Sequence, residues 1–198
     1  IQYAGLTETL AGSGTTSLSA NAVAVSTSAT ANSSAQRKSN IFGWGENSAG
    51  AGKRGINWAK PFILAFDISR QTSDAQVNAY IQFGQSVAGT SDLAAQGVAL
   101  KVANYVVTGQ GYGSALGSTG TLATLVDDKS ASILIIWNGS TSLGFHVNGT
   151  LVESITTAAN LPTSTNNVLQ FSVAILRGAT GAAVSELYVS DIVIIQKR

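Results

Sequence analysis

Leu143-Gly-Phe-His-Val-Asn-Gly-Thr-Leu-Val-Glu153 decides the fold class, because it holds a whole β-hairpin. Phe145 and Val147 alternate with Gly144 and His146, Asn148-Gly149 turns the chain, and Leu151 and Glu153 resume the alternation. Asn-Gly suits a type I′ turn, whose two central residues both need positive φ. Outward from this hairpin the same period of two returns. Val77, Ala79, Ile81 and Phe83 share one face, and Asn78, Tyr80 and Gln82 the other. Leu169, Phe171, Val173 and Ile175 interleave in the same way with Gln170, Ser172 and Ala174. One apolar and one polar face per strand is the pattern of antiparallel sheets.

Further strands are expected at Ile41–Trp44, Phe62–Ile68, Val98–Tyr105, Thr121–Val126, Thr150–Thr156 and Val184–Gln196. Ser132–Trp137 is apolar at consecutive positions, so it belongs at the centre of a sheet with both faces covered, one of them by a loop or a neighbouring chain. Gly109–Gly120 reads as an exposed glycine-rich loop; it lacks the lysine and the following helix of a phosphate cradle. Residues 1–36 are rich in Ser, Thr, Ala and Gly, and bury little area to offset their ordering entropy. They read as an arm or an edge strand, with Ala22-Val-Ala-Val-Ser26 as its strand-forming part. The chain is thus expected to be all-β: an antiparallel two-sheet β-sandwich over residues 37–198 with an extended N-terminal arm over 1–36.

Composition narrows the function classes. A net charge of +1 in 198 residues provides no field to gather nucleic acid, and low charge favours association between copies. Without cysteine there is no disulfide or thiolate metal site, and no apolar run approaches the ~20 residues that span a bilayer.

Three pieces of the chain resemble the concanavalin A-like, laminin G-like jelly-roll domains. They are Ser132-Ile-Leu-Ile-Ile-Trp-Asn-Gly139 with the hairpin that follows, Val168-Leu-Gln-Phe-Ser-Val-Ala-Ile-Leu-Arg-Gly178, and Glu186-Leu-Tyr-Val-Ser-Asp-Ile-Val-Ile-Ile-Gln196. The resemblance covers roughly Phe62 to Gln196 and implies the two-sheet fold. It leaves function open, since such domains include lectins, carbohydrate-binding modules, adhesion domains, glycosidases and virion appendage domains. The low-charge, small-residue texture also looks like phage tail, fibre or capsid-surface proteins.

Catalytic chemistry finds little footing. Glycosidases of this type carry closely spaced carboxylates, because retaining hydrolysis needs two carboxyl groups about 5–5.5 Å apart. Glu8, Glu46, Glu153 and Glu186 have no acidic partner at such spacing. His146, the single histidine, falls on the face opposite Phe145 and Val147 and reads as a solvent-side strand residue. No enzyme and no cofactor is expected. Asp127-Asp128 are the weak candidates for calcium, against the plainer reading of a polar turn.

Binding surfaces remain. Trp44, Asn47, Arg54, Asn57 and Trp58 share one long loop, with Tyr80 and Tyr105 as further aromatic platforms for a sugar ring. For either tryptophan taken alone, a cap on the core is the better reading. Two readings follow. The first is a structural attachment protein on a virion surface or outside the cell, which assembles with copies of itself or other virion subunits and contacts cell-surface glycan. The second is a lectin-like carbohydrate-binding module without an assembly role.

Overall fold

A computed structural model describes residues 7–11, 14–18, 22–28, 32–39, 57–71, 77–85, 90–126, 129–163, 170–178 and 185–196. The strands are β1 (Thr7–Ala11), β2 (Thr15–Leu18), β3 (Ala22–Ser26), β4 (Ser34–Ser39), β5 (Phe62–Gln71), β6 (Val77–Gly84), β7 (Gly97–Ala103) and β8 (Val106–Tyr112). They continue with β9 (Leu116–Ser118), β10 (Ala123–Thr124), β11 (Lys129–Trp137), β12 (Leu143–Val147), β13 (Thr150–Ile155), β14 (Gln170–Arg177) and β15 (Glu186–Gln196). Sheet A runs β1-β4-β14-β6-β7-β8-β10, with β9 also on β8; sheet B runs β13-β12-β11-β5-β15-β3-β2. Every pairing is antiparallel. The two sheets form the expected sandwich.

Period two builds the core. Phe62, Leu64, Phe66 and Ile68 of β5 and Ile133, Ile135 and Trp137 of β11 turn inward from sheet B. Ile81 and Phe83 of β6 and Phe171, Val173 and Ile175 of β14 meet them from sheet A. Phe83 touches Phe171 within its own sheet (4.7 Å between ring centroids) and Phe66 across the gap (5.9 Å). Rings at this range add about 0.5–1.5 kcal/mol per pair beyond area burial.

Of the two alternatives for residues 1–36, the described part is in strands. β1 and β2 are edges of sheets A and B, while β3 and β4 lie one place further in. Val23, Val25 and Ala35 are fully buried, because even this small-residue stretch alternates and its few aliphatic side chains complete the core. Strand β4 runs across the boundary drawn at residue 36.

Three stretches differ in the structure from what the sequence leads one to expect. The stretch 98–105 is not one strand: Asn104 (φ 47°) and Tyr105 (φ 68°) turn the chain between β7 and β8. Tyrosine rarely takes this conformation. Here the Leu125 N–H donates to the Tyr105 carbonyl (2.8 Å), and the Arg70 guanidinium lies 5.2 Å from the ring centroid. The glycine-rich stretch is also not an exposed loop at its start, since Gly109 and Gly111 are buried in β8. A Cβ on Gly109 would lie 2.6 Å from the Phe145 ring, and one on Gly111 2.6 Å from the Asn160 carbonyl oxygen. Glycine lets β8 approach sheet B closely. The strand expected at Thr121–Val126 shrinks to the two residues of β10. The hairpin at Asn148 (φ 49°) and Gly149 (φ 83°) has the positive φ values its sequence asks for.

Deleting residues 1–30 removes β1, β2 and β3 and strips the cover from Leu187 and Val189, which pair with Val25 and Val23. The truncated chain is expected to lose cooperative thermal unfolding; a wild-type transition would contradict this. Gly109→Ala is expected to lower the unfolding free energy by about 1–3 kcal/mol in a urea titration, since Phe145 has no room to yield.

Candidate functional site

The outer face of sheet A holds a second polar layer. Residues that alternate away from the core ought to be wet, yet Gln82 and Ser172 are fully buried and Gln36, Tyr80 and Gln110 nearly so. Register places them together. Tyr80 is opposite Ala174 and Lys101, Gln82 is opposite Ser172 and Ala99, and Ala99 is opposite Gln110. Residues 90–96 supply part of the cover: Leu93 is buried, and the Ser91 carbonyl accepts the Gln82 amide at 2.6 Å.

Hydrogen bonds hold the layer together in small groups. Gln36 Nε2 donates to Ser172 Oγ (2.8 Å), and Gln110 Nε2 donates to Asp92 Oδ1 (2.8 Å). Lys101 Nζ lies 3.0 Å from Asp92 Oδ1 and 5.7 Å from the Tyr80 ring centroid. One acceptor is left over: the buried Gln110 Oε1 has no hydrogen-bond partner.

The charges on this face are stabilised as they stand. Burial works to raise the Asp92 carboxyl, but hydrogen bonds from Gln110 and Lys101 outweigh it and hold the group below its ordinary value. Burial works to lower the Lys101 ammonium, but Asp92 and Tyr80 more than offset it and raise it. Burial raises the Tyr80 phenol, against the lowering pull of Lys101. All three move away from neutrality, whereas a general acid or base works best near the operating pH.

Among the described residues, the sequence-derived site residues do not converge. Trp58 is 1% exposed, stacks edge-on against Phe62 (5.4 Å) and accepts the Trp137 indole N–H on its carbonyl (2.6 Å). It is a core residue, and this corrects its candidacy as a sugar platform. Asn57 is structural as well. Its N–H donates to Gln196 Oε1, its carbonyl accepts Gln196 Nε2, and its Oδ1 accepts the Ala59 N–H. Tyr105 belongs to the β7–β8 turn over Arg70, at the opposite end of β5 from Trp58 and Phe62. Tyr80 stands in the outer layer of sheet A.

Trp44, Asn47 and Arg54 lie outside the described residues, as do Asp127 and Asp128. Among the described residues no three His, Cys, Asp or Glu side chains gather as a metal site would need. No described helix is long and apolar enough to cross a membrane.

Sequence reasoning missed Gln36, Gln82, Asp92, Lys101, Gln110 and Ser172. A signal existed in the glutamines, which sit at polar-face positions of three strands where charged residues are commoner.

No family model and no curated protein sequence matches the chain. Solved structures do resemble it. Endo-β-1,4-glucuronan lyase from Trichoderma reesei matches with a TM-score of 0.65 at 13% identity, over 96% of this chain and 90% of that one. A protein of unknown function from Shewanella oneidensis matches at 0.55 and 14% identity, over 96% and 79%. A type C botulinum neurotoxin that depends on two ganglioside molecules to enter cells matches at 0.55 and 11% identity, over 96% of this chain and 43% of the toxin chain. At such identities the likeness is one of fold.

Because folding depresses Asp92, its contribution to stability is complete above its unfolded value near pH 4 and drains as pH falls through the folded value. The urea midpoints of wild type and Asp92→Asn should therefore differ at neutral pH and converge on acidification to about pH 2. A gap independent of pH would contradict the Asp92 bonds to Gln110 and Lys101. Trp58→Ala should cost about 3–5 kcal/mol of stability, as removal of a core indole does.

Proposed function

We propose that the protein is a non-enzymatic carbohydrate-binding β-sandwich that takes hydroxyl-rich ligands on the outer face of sheet A. The unpartnered Oε1 of Gln110 carries this reading. The amide cannot turn over to hide that oxygen, because its nitrogen already serves Asp92. A buried acceptor without a donor costs about 1–3 kcal/mol, and a ligand hydroxyl that displaces the covering residues 90–96 would recover it. Around it Gln36, Gln82, Ser172 and Lys101 exchange hydrogen bonds of the kind sugars form. Tyr112, half-buried on the same face, offers flat apolar area.

Two fold neighbours support the ligand class, one named for acting on glucuronan and one for its dependence on gangliosides. The ionisation of Asp92, Lys101 and Tyr80 supports binding over catalysis, since each group is fixed in the charge state it holds at neutral pH. Attachment at a virion or extracellular surface fits the sparse charge, at 11% of residues, and this setting also calls for copies that associate.

Glycan-array screening followed by calorimetry tests the proposal. Tyr80→Phe and Gln110→Leu are each expected to weaken binding of the best glycan about tenfold or more, with cooperative unfolding retained. Affinity unchanged in both variants, or an array with no bound glycan, would overturn it.

A further inference from the structure

We propose that the outer face of sheet B is a homodimer interface, with two copies packed face to face about a twofold axis that lies in the interface and runs across the strands. The face is set by the core: because Phe62, Leu64, Phe66 and Ile68 point inward, Ile63, Ala65 and Asp67 point out. Register aligns two mostly apolar rows across it. Leu151, His146, Leu134, Ala65 and Val193 form one row, and Gly144, Ile136, Ile63 and Ile195 form the next.

Four of these side chains stand exposed, while Ala65, Leu134 and Ile136 are half-buried. Ile63 is 37% exposed, Val193 47%, Leu151 53% and Ile195 59%. They are four of the seven large hydrophobic side chains that stand exposed among the described residues. Monomers rarely show contiguous apolar patches above a few hundred Å² without a partner for them.

Charge selects a second copy as that partner. Asp67 and Asp191 flank the apolar rows at one end of the strands, and exposed Lys60 stands at the other, just before β5 begins. A twofold axis across the strands reverses one copy on the other. Each acidic end then meets a basic end, twice over, as an isologous interface requires. The acidic groups beside the apolar rows also disfavour an anionic bilayer, which seeks basic flanks. Size agrees as well. The whole outer face, seven strands at about 4.8 Å by about seven residues at about 3.3 Å, measures about 34 by 23 Å, close to the ~800 Å² each partner brings to a standard interface, and the apolar rows occupy part of it across five strands. The dimer leaves the two sheet A faces pointing in opposite directions, free to bind two glycans at once.

Sedimentation velocity of the full chain from about 1 to about 200 µM tests this, and it reads association whether or not any glycan binds. Wild type is expected to dimerise. Ile195→Lys, at an exposed position, is expected to weaken the dimer more than tenfold with an unchanged unfolding midpoint at dilutions where both are monomers. Asp67→Lys is expected to weaken it about tenfold, and adding Lys60→Asp to restore it, because the swap rebuilds the same pair across the axis. A wild-type monomer throughout overturns the proposal, as does an Ile195→Lys variant that dimerises like wild type. So does a monomer that co-sediments with phosphatidylcholine vesicles, since lipid would then be the cover.

Discussion

Phe66, Phe83 and Phe171 set the spacing on which the molecule depends. Phe66 reaches from sheet B to Phe83 in sheet A, and Phe83 leans on Phe171 in the next strand. With these inner rows in place, period two leaves no freedom over which residues face outward. A slip of one residue in β6 would drive Gln82 into the aromatic stack and expel Phe83. The inner contact therefore determines both outer surfaces, although it lies on neither.

Those two surfaces differ in kind. On sheet A the outward residues are amides, hydroxyls and a tyrosine, and a further layer of chain covers them, so even Gln82 and Ser172 are withdrawn from solvent. Burial there strengthens each polar contact and makes the leftover acceptor on Gln110 costly. On sheet B the outward residues at the centre are mostly aliphatic and partly exposed. One architecture thus carries a covered polar face and a partly exposed apolar face, back to back.

How far the sequence reveals this varies with the kind of information needed. The hairpin at Asn148-Gly149 is legible because its turn has a dipeptide signature, and β6 and β14 because strict alternation has one reading. The turn at Tyr105 is not, since tyrosine with positive φ carries no local signal and is held by Arg70 and Leu125 from elsewhere in the chain. Gly109 looks like loop because glycine usually punctuates; its strand role depends on a phenylalanine 36 residues away. Consecutive apolar residues in β11 place it centrally, as found, but the outward Leu134 and Ile136 are only half-buried. Trp58 fits both a platform and a core plug by sequence, and its bond from Trp137 decides for the core. The polar layer on sheet A is the least legible part. Alternation tells that Gln36, Gln82 and Gln110 leave the core, and cannot tell that they are buried all the same.

A ¹H–¹⁵N NMR titration with the glycan bound best on the array tests the central claim most directly, because it reports where on the two faces the ligand rests. The account predicts that the side-chain amides of Gln36, Gln82 and Gln110 shift together with the backbone of β6, β7 and β8. Shifts confined to β5, β11 and β15, with those three amides unmoved, would contradict it.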